Sequence, residues 1–266
     1  MNTAFNKLHH LQDELHSHSN AELPDEYQDT LMFCEMAGLI KIDFYGDPFG
    51  ESEAFNRVLQ TIIHSDVSPF IKSIRFSAPD EGANGTRTWD FSIIVSSEAI
   101  FPNLTSFYVE GTQPEHHNRS VISGDFYEED GMIAGLIRKM PNLLSLSVPS
   151  APNQDFFRIA PHPLRHLVVQ AGYDTQNFIL HLSKSTCFPN LHHLDFTDYQ
   201  ETYLDDYEAN CTPFSHYKEL FFSSAFDQMR MVIIRNPLCS PAEIAELKSL
   251  RKEVQLMLIK TSSDYV

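Results

Sequence analysis

One arrangement of apolar positions recurs along most of the chain: an anchor, two free positions, an apolar residue, one free position and another apolar residue. It is filled by Leu39/Ile42/Phe44, Ile71/Ile74/Phe76, Leu104/Phe107/Val109, Leu143/Leu146/Val148, Leu164/Leu167/Val169, Leu191/Leu194/Phe196 and Met229/Val232/Ile234. The last two members of each triplet lie two apart, the spacing that puts side chains on one face of a strand. Between triplets the apolar period lengthens to three and four residues, as in Ala54, Phe55, Val58, Leu59 and Ile62, in Ile133, Leu136 and Ile137, and in Phe178, Ile179 and Leu182. Phe214, Tyr217, Phe221 and Ala225 continue the pattern, followed by Ile244, Leu247 and Leu250. That spacing predicts helices with one apolar face. Strand and helix therefore alternate to a terminal strand in "VQLMLI". A lone strand-helix pair cannot bury its apolar face, whereas stacked pairs form a parallel sheet covered by helices over one continuous core.

The first anchors stand 21 to 39 residues apart, so the repeats are uneven and the longer ones have room for full helices. Residues 1 to 17 place Phe5, Leu8, Leu11 and Leu15 on a helical stripe. A polar turn containing Pro24 follows it. The predicted organisation is an N-terminal helical cap over 1–38 and a single folded unit over 39–266. Start signals support several helices: Ser52 as an N-cap, Thr212 and Pro213 as N-cap and N1, and Ser240, Pro241 and Glu243 as a capping box. Trp89 to Ile100 reads as helical or extended, and the stretch from Glu110 to Gly131 as a polar loop.

Charge narrows the partners. Nineteen Lys+Arg against 36 Asp+Glu leave a net charge of -17, which repels phosphate backbones and anionic headgroups, so neither nucleic acid nor membrane is an expected partner. The N-terminus lacks the apolar core of a signal peptide, no apolar run reaches a membrane-spanning length, and the expected location is cytoplasmic. Cys34, Cys187, Cys211 and Cys239 form no CxxC pair, so no disulfide framework and no zinc site is expected. His9, His10, His16 and His18 sit among polar residues and read as the wet face of the first helix. No cofactor fingerprint is present: there is no P-loop, GxGxxG, GxSxG or HExxH.

The anchors and the "FPNL" lead-ins resemble those of leucine-rich repeat proteins from about residue 39 onward. The segments "LHHLDFTDYQETYLDDYEANCTPFSHYKELF" and "RNPLCSPAEIAELKSLRKEVQLMLI" are similar to the C-terminal part of bacterial cytosolic leucine-rich repeat proteins with irregular repeat lengths. That resemblance implies an α/β solenoid, with a parallel sheet on its concave side and helices on its convex side. Proteins of this kind often lie beside toxin genes, so it further implies an immunity protein that neutralises a cognate toxin by direct binding. One departure is plain: the Asn or Cys expected eight residues after each first anchor is replaced by Pro79, Thr112, Ala151, Gly172 and Tyr199. Without that ladder the turns must be satisfied in other ways, which implies a shorter, uneven arc.

Outward strand positions form the expected binding surface. Tyr108, Glu110, His166, Gln170, His193 and Asp195 are its most informative members, and their mix of aromatic and polar types suits a protein interface. A second candidate follows directly: Asp195, Asp198, Glu201, Asp205, Asp206 and Glu208, with no Lys or Arg among them, interleave with Tyr199, Tyr203 and Tyr207. Carboxylates beside tyrosines can engage a basic partner, or the loop can fold back on the core. His193 and Asp195 lie two apart on one strand face and could serve a hydrolase or a metal enzyme. The expected function is non-enzymatic protein binding, with a general adaptor as the other binding role.

Overall fold

The structure is a computed structural model that describes residues 3–18, 28–48, 53–80, 82, 85–124, 128–200 and 205–261. It is an α/β fold with a mainly parallel sheet. Helix α1 (Thr3–His18) leads to a hairpin of β1 (Thr30–Met36) and β2 (Leu39–Tyr45). Then come α2 (Glu53–Ile62), β3 (Ile71–Ser77), β4 (Gly85–Trp89), α3 (Ser92–Ser96), β5 (Ser106–Val109), β6 (Asn118–Ile122), α4 (Met132–Lys139) and β7 (Ser145–Val148). The chain continues through β8 (His166–Gln170), α5 (Phe178–Ser183), β9 (His193–Thr197), α6 (Tyr207–Asn210), α7 (Phe214–Phe222), β10 (Met231–Arg235), α8 (Pro241–Leu250) and β11 (Gln255–Ile259).

The nine-stranded sheet runs β1-β2-β3-β5-β7-β8-β9-β10-β11, in chain order from one edge to the other. Only the β1-β2 hairpin is antiparallel; each later strand lies parallel to the one before it. Strands β4 and β6 leave this order and pair with each other in a separate two-stranded parallel sheet. Cross-strand register aligns the triplets. Ile42, Ile74, Phe107, Leu146, Leu167, Leu194 and Val232 form one row, which Leu256 extends on β11. All the triplet residues are buried except Leu39, which is half-buried beside the β1-β2 turn while Ile40 goes inside. That turn uses Ala37 and Gly38, both with positive φ, which matches the twist of a tight hairpin.

Helices cover the apolar face. Helix contacts follow the chain in two groups, α1 with α2, α2 with α3 and α3 with α4, then α5 with α7 and α7 with α8, and the 3-10 turn Gln154–Arg158 touches both α4 and α5 between them. The apolar sides read from the sequence are the buried ones: Ala54, Phe55, Val58, Leu59 and Ile62 in α2, and Leu8, Leu11 and Leu15 in α1. Rings make much of the filling. Phe44, Phe55, Phe76, Trp89, Phe91 and Phe107 form one continuous group, and Phe156, Phe157, Phe178, Phe188 and Phe196 a second.

A second ladder joins the strand entrances. The carbonyls of Thr105, Leu144, Arg165 and His192 each accept from two successive amides of the following strand. The Asn of two lead-ins reaches back one repeat, Asn103 to the Pro69 carbonyl at 2.7 Å and Asn142 to the Pro102 carbonyl at 2.8 Å. Both devices satisfy backbone groups that would otherwise be stranded between repeats.

Several local expectations are corrected. Residues 30–36, assigned to the helical cap, are an edge strand whose Leu31 is buried opposite Phe44. The polar loop from Glu110 contains β6, whereas Trp89 to Ile100, read as helical or extended, holds both the end of β4 and the short α3. Thr212 does not cap α7; its amide and hydroxyl are taken by Asp198 and the helix starts behind Pro213. The Ser240–Glu243 capping box is present as expected. Ser52, Pro24 and His18's side chain lie outside the described residues.

Leu167 sits at the middle of the ladder with no exposed surface. Leu167→Ala should cost about 2–5 kcal/mol, whereas Ser147→Ala on the opposite face should stay within about 0.5 kcal/mol. Urea unfolding midpoints at constant slope check both values.

Candidate binding surface

The strand period that buries the triplets turns the intervening residues to the other side of the sheet. There Lys41, Ser73, Ser106, Ser145, His166, His193, Met231 and Gln255 stand in one cross-strand row. Asp43, Arg75, Tyr108, Ser147, Val168, Asp195, Ile233 and Met257 stand in the next. Most of these side chains are half-buried or exposed. Arg75 lies over the Tyr108 ring, 4.7 Å from its centroid, and reaches Glu110 at 3.9 Å.

Toward the strands' C-terminal ends the face is closed over. Residues 111–114 fold across it from β5 toward β8, where the Gln170 side chain holds Thr112 by both backbone groups: the Thr112 amide donates to Oε1 at 2.8 Å, and Nε2 donates to the Thr112 carbonyl at 2.9 Å. A Cβ at Gly111 would stand 2.7 Å from the Gln170 side chain, so a larger residue here would push that amide away from its place. Beneath this flap is a cavity of about 380 Å³ lined by Tyr108, Pro114, Ser147, Val168, Thr197 and Arg235, among others. At its side Arg235 donates from Nε and Nη2 to the two oxygens of Asp195, both at 2.8 Å. Hydrogen bonding to Asp195 raises the Arg235 value above the ordinary guanidinium, outweighing partial burial.

The small sheet fixes where the flap begins and ends. Trp89 Nε1 donates to Ser120 Oγ at 3.0 Å, Ser120 Oγ donates to the Glu110 carbonyl at 2.8 Å, and the Ser120 amide donates to Thr112 Oγ1 at 2.9 Å. At the head of β6, Asp80 accepts from the amides of His117 and Asn118 at 3.0 Å and from His117 Nδ1 at 2.8 Å. Desolvation opposes the Asp80 carboxylate, but the His117 ring and these amides outweigh it and bring its value down to about 2. The amide of Ile122 at the end of β6 donates to Ser150 Oγ at 2.8 Å.

Four of the sequence candidates, Tyr108, Glu110, Gln170 and Asp195, converge on this flap and cavity. His166 and His193 lie nearer the strand entrances, with ring centroids 6.0 Å apart. Partial burial and the neighbouring His193 both press His166 below the usual imidazole value. His193 and Asp195 share a face, but the Asp195 carboxylate is committed to Arg235. Among the described residues no group of three His, Cys, Asp or Glu is placed to hold a metal ion, and no helix is long and apolar enough to cross a membrane.

The acidic tyrosine stretch divides. Asp198 is 1% exposed and accepts from the Tyr199 amide at 2.9 Å, Thr212 Oγ1 at 2.9 Å and the Tyr217 hydroxyl at 2.7 Å. Burial pushes its carboxyl above the ordinary value, and those donors pull part of the rise back. Tyr199 is also buried, with Tyr207 stacked on it at 6.1 Å. Asp198 and Tyr199 are thus interior residues that hold the segment after β9, and cannot meet a partner in this arrangement. Asp205, Asp206 and Glu208 are exposed, while Glu201 and Tyr203 lie outside the described residues. Arg235, read in the sequence as an outward strand position, and Thr112 belong to the candidate site, but their pairings with Asp195 and Gln170 were not legible. The available signal was a cation, Arg235, at an outward position two beyond Ile233, which pairs with Asp195.

Comparison with family models, with curated proteins and with solved structures finds no significant match to this chain.

Two expectations follow from the flap. Gln170→Ala removes both bonds to Thr112 and should cost about 1 to 2 kcal/mol, with faster hydrogen exchange at the Thr112 amide as the direct readout. The folded value of Asp80 lies below its ordinary 3.8, so its contribution to stability is full above that value and is lost as pH falls toward about 2. In Asp80→Asn the urea midpoint should therefore fall less steeply than wild type between about pH 4 and about pH 2.

Proposed function

We propose that this chain is a non-enzymatic binding protein, a solenoid of strand-helix repeats whose uncovered sheet face grips another protein. The observation that carries this reading is the sheet face from β2 to β11, laid down in chain order opposite the helices and crossed near the strands' C-terminal ends by residues 111–114. Eight strands about 4.8 Å apart, each presenting about five residues at 3.3 Å, give a surface of roughly 600 Å². That approaches the roughly 800 Å² per partner of a standard protein interface, and the rim loops can supply the remainder. Aromatic, apolar and polar members alternate along it, as in Tyr108, Val168, His193 and Met231, which is the composition of an interface with separate anchors.

The resemblance to irregular bacterial leucine-rich repeat proteins supports a narrower form of the proposal, neutralisation of a cognate toxin by direct binding. The charge of -17 and the exposed Asp205, Asp206 and Glu208 favour a basic partner, whose encounter they would accelerate at low salt.

Affinity purification of the tagged chain from its native host tests the proposal. One stoichiometric protein is expected, lost when Ser145→Arg is combined with His193→Glu and retained with Lys248→Glu on the helical side. With that partner purified, Asp205→Lys with Asp206→Lys should slow association about tenfold at low salt, and the difference should vanish at high salt. Many substoichiometric proteins would point to an adaptor, and a partner indifferent to the Ser145 and His193 changes would remove the sheet face from the interface.

A further inference from the structure

The geometry under the flap points to a more specific ligand: we infer that the cavity between Tyr108, Ser147 and Arg235 binds a carboxylate-bearing molecule on the scale of a dipeptide, seated on the free edge of the Arg235 guanidinium. This rests on reading the uncovered face as the binding surface, and it adds an anion site to it.

A guanidinium carries five N–H donors in a planar fork. Asp195 takes one from Nε and one from Nη2, which leaves the Nη1 edge and the second hydrogen of Nη2 unspent. That outer edge is itself a two-donor fork matched to a carboxylate. Asp195, only 8% exposed, orients the group, a third of the Arg235 side chain is exposed, and both residues line the cavity. The site thus offers a fixed, pre-oriented positive edge.

The rest of the lining agrees with an anion. In a chain with 36 Asp+Glu, Asp195 is the single carboxylate at the cavity wall among the described residues, and it is already neutralised. Tyr108, Ser145, Ser147 and Thr197 bring four hydroxyl-bearing side chains to the same lining. Val168 and Pro114 provide apolar wall. Residues bearing hydroxyl, amide or guanidinium groups thus make up most of the lining of this volume of about 380 Å³, which suits a small polar ligand. The flap closes it from above through the Gln170–Thr112 pair, so a ligand would meet the backbone of residues 111–114 as well as the sheet.

One chemistry has two sources here, a free organic acid or the terminal carboxylate of a bound chain. Titration of the ¹⁵N-labelled protein with N-acetyl-alanyl-leucine, with its C-terminal amide and with succinate separates them. The peptide acid is expected to shift the amides of Gly111, Gln170 and Thr197, and the peptide amide to bind at least about tenfold more weakly. Arg235→Lys keeps the charge and loses the fork, so it should weaken the acid by about tenfold. Ser147→Phe fills the cavity from a half-exposed position without touching the ion pair and should abolish binding at an unchanged melting temperature. Succinate binding as tightly as the peptide acid assigns the site to free acids; binding of the peptide acid alone assigns it to chain ends. Equal affinity for peptide acid and amide, absence of binding by either acid, or binding that survives Ser147→Phe overturns the inference. Loss of acid binding with partner capture intact would remove this site alone, and the converse result would remove the protein-binding reading alone.

Discussion

The whole arrangement depends on cross-strand registration of two apolar rows. Side chains alternate with a period of two, so a slip of one residue in any strand would drive its triplet into water and its polar positions into the core. Fully burying one such aliphatic or aromatic side chain contributes about 1.5–3 kcal/mol, so a slipped strand forfeits several at once. The same registration aligns the other side of the sheet. Tyr108, Ser147, Val168 and Asp195 stand side by side because Phe107, Leu146, Leu167 and Leu194 do.

The places where the repeat fails are where the site is built. No regular Asn ladder satisfies the turns after the strands, and each is solved separately. After β5 the chain crosses the sheet and is held by Gln170; after β7 Ser150 takes an amide from β6; after β9 Asp198 gathers donors from Tyr199, Thr212 and Tyr217. An even solenoid turn at Thr112 would leave the face open along its length. The long excursion instead produces a flap, a small second sheet to anchor it, and a partly open cavity beneath.

Asp195 and Asp198, three residues apart, show how sharply environment separates like side chains. The first is the central residue of β9, faces outward and is met by a guanidinium. The second lies just past the end of β9, where alternation no longer governs direction, and its carboxylate is enclosed by neutral hydroxyl and amide donors. A buried carboxylate without such donors would be severely destabilising, so these bonds hold the following segment to the sheet. Negative charge is thereby divided: Asp205, Asp206 and Glu208 remain outside to shape the long-range field, while the cavity wall is locally neutral.

The amino-acid sequence by itself determined the strands carrying the triplets, the apolar sides of α1, α2, α4 and α5, and the outward rows of the sheet, because each is expressed in a period of two to four residues. It left β1 and β6 unread, since the first is an edge strand with apolar Met32 and Met36 exposed rather than inward, and the second lies in a polar stretch without alternation. Only the tertiary structure decided that Asp198 and Tyr199 go inside, that Gln170 reaches Thr112 across 58 positions, and that Arg235 meets Asp195 across 40. Those pairings are set by which strands become neighbours and by how far each connecting segment travels, and neither is written in local periodicity.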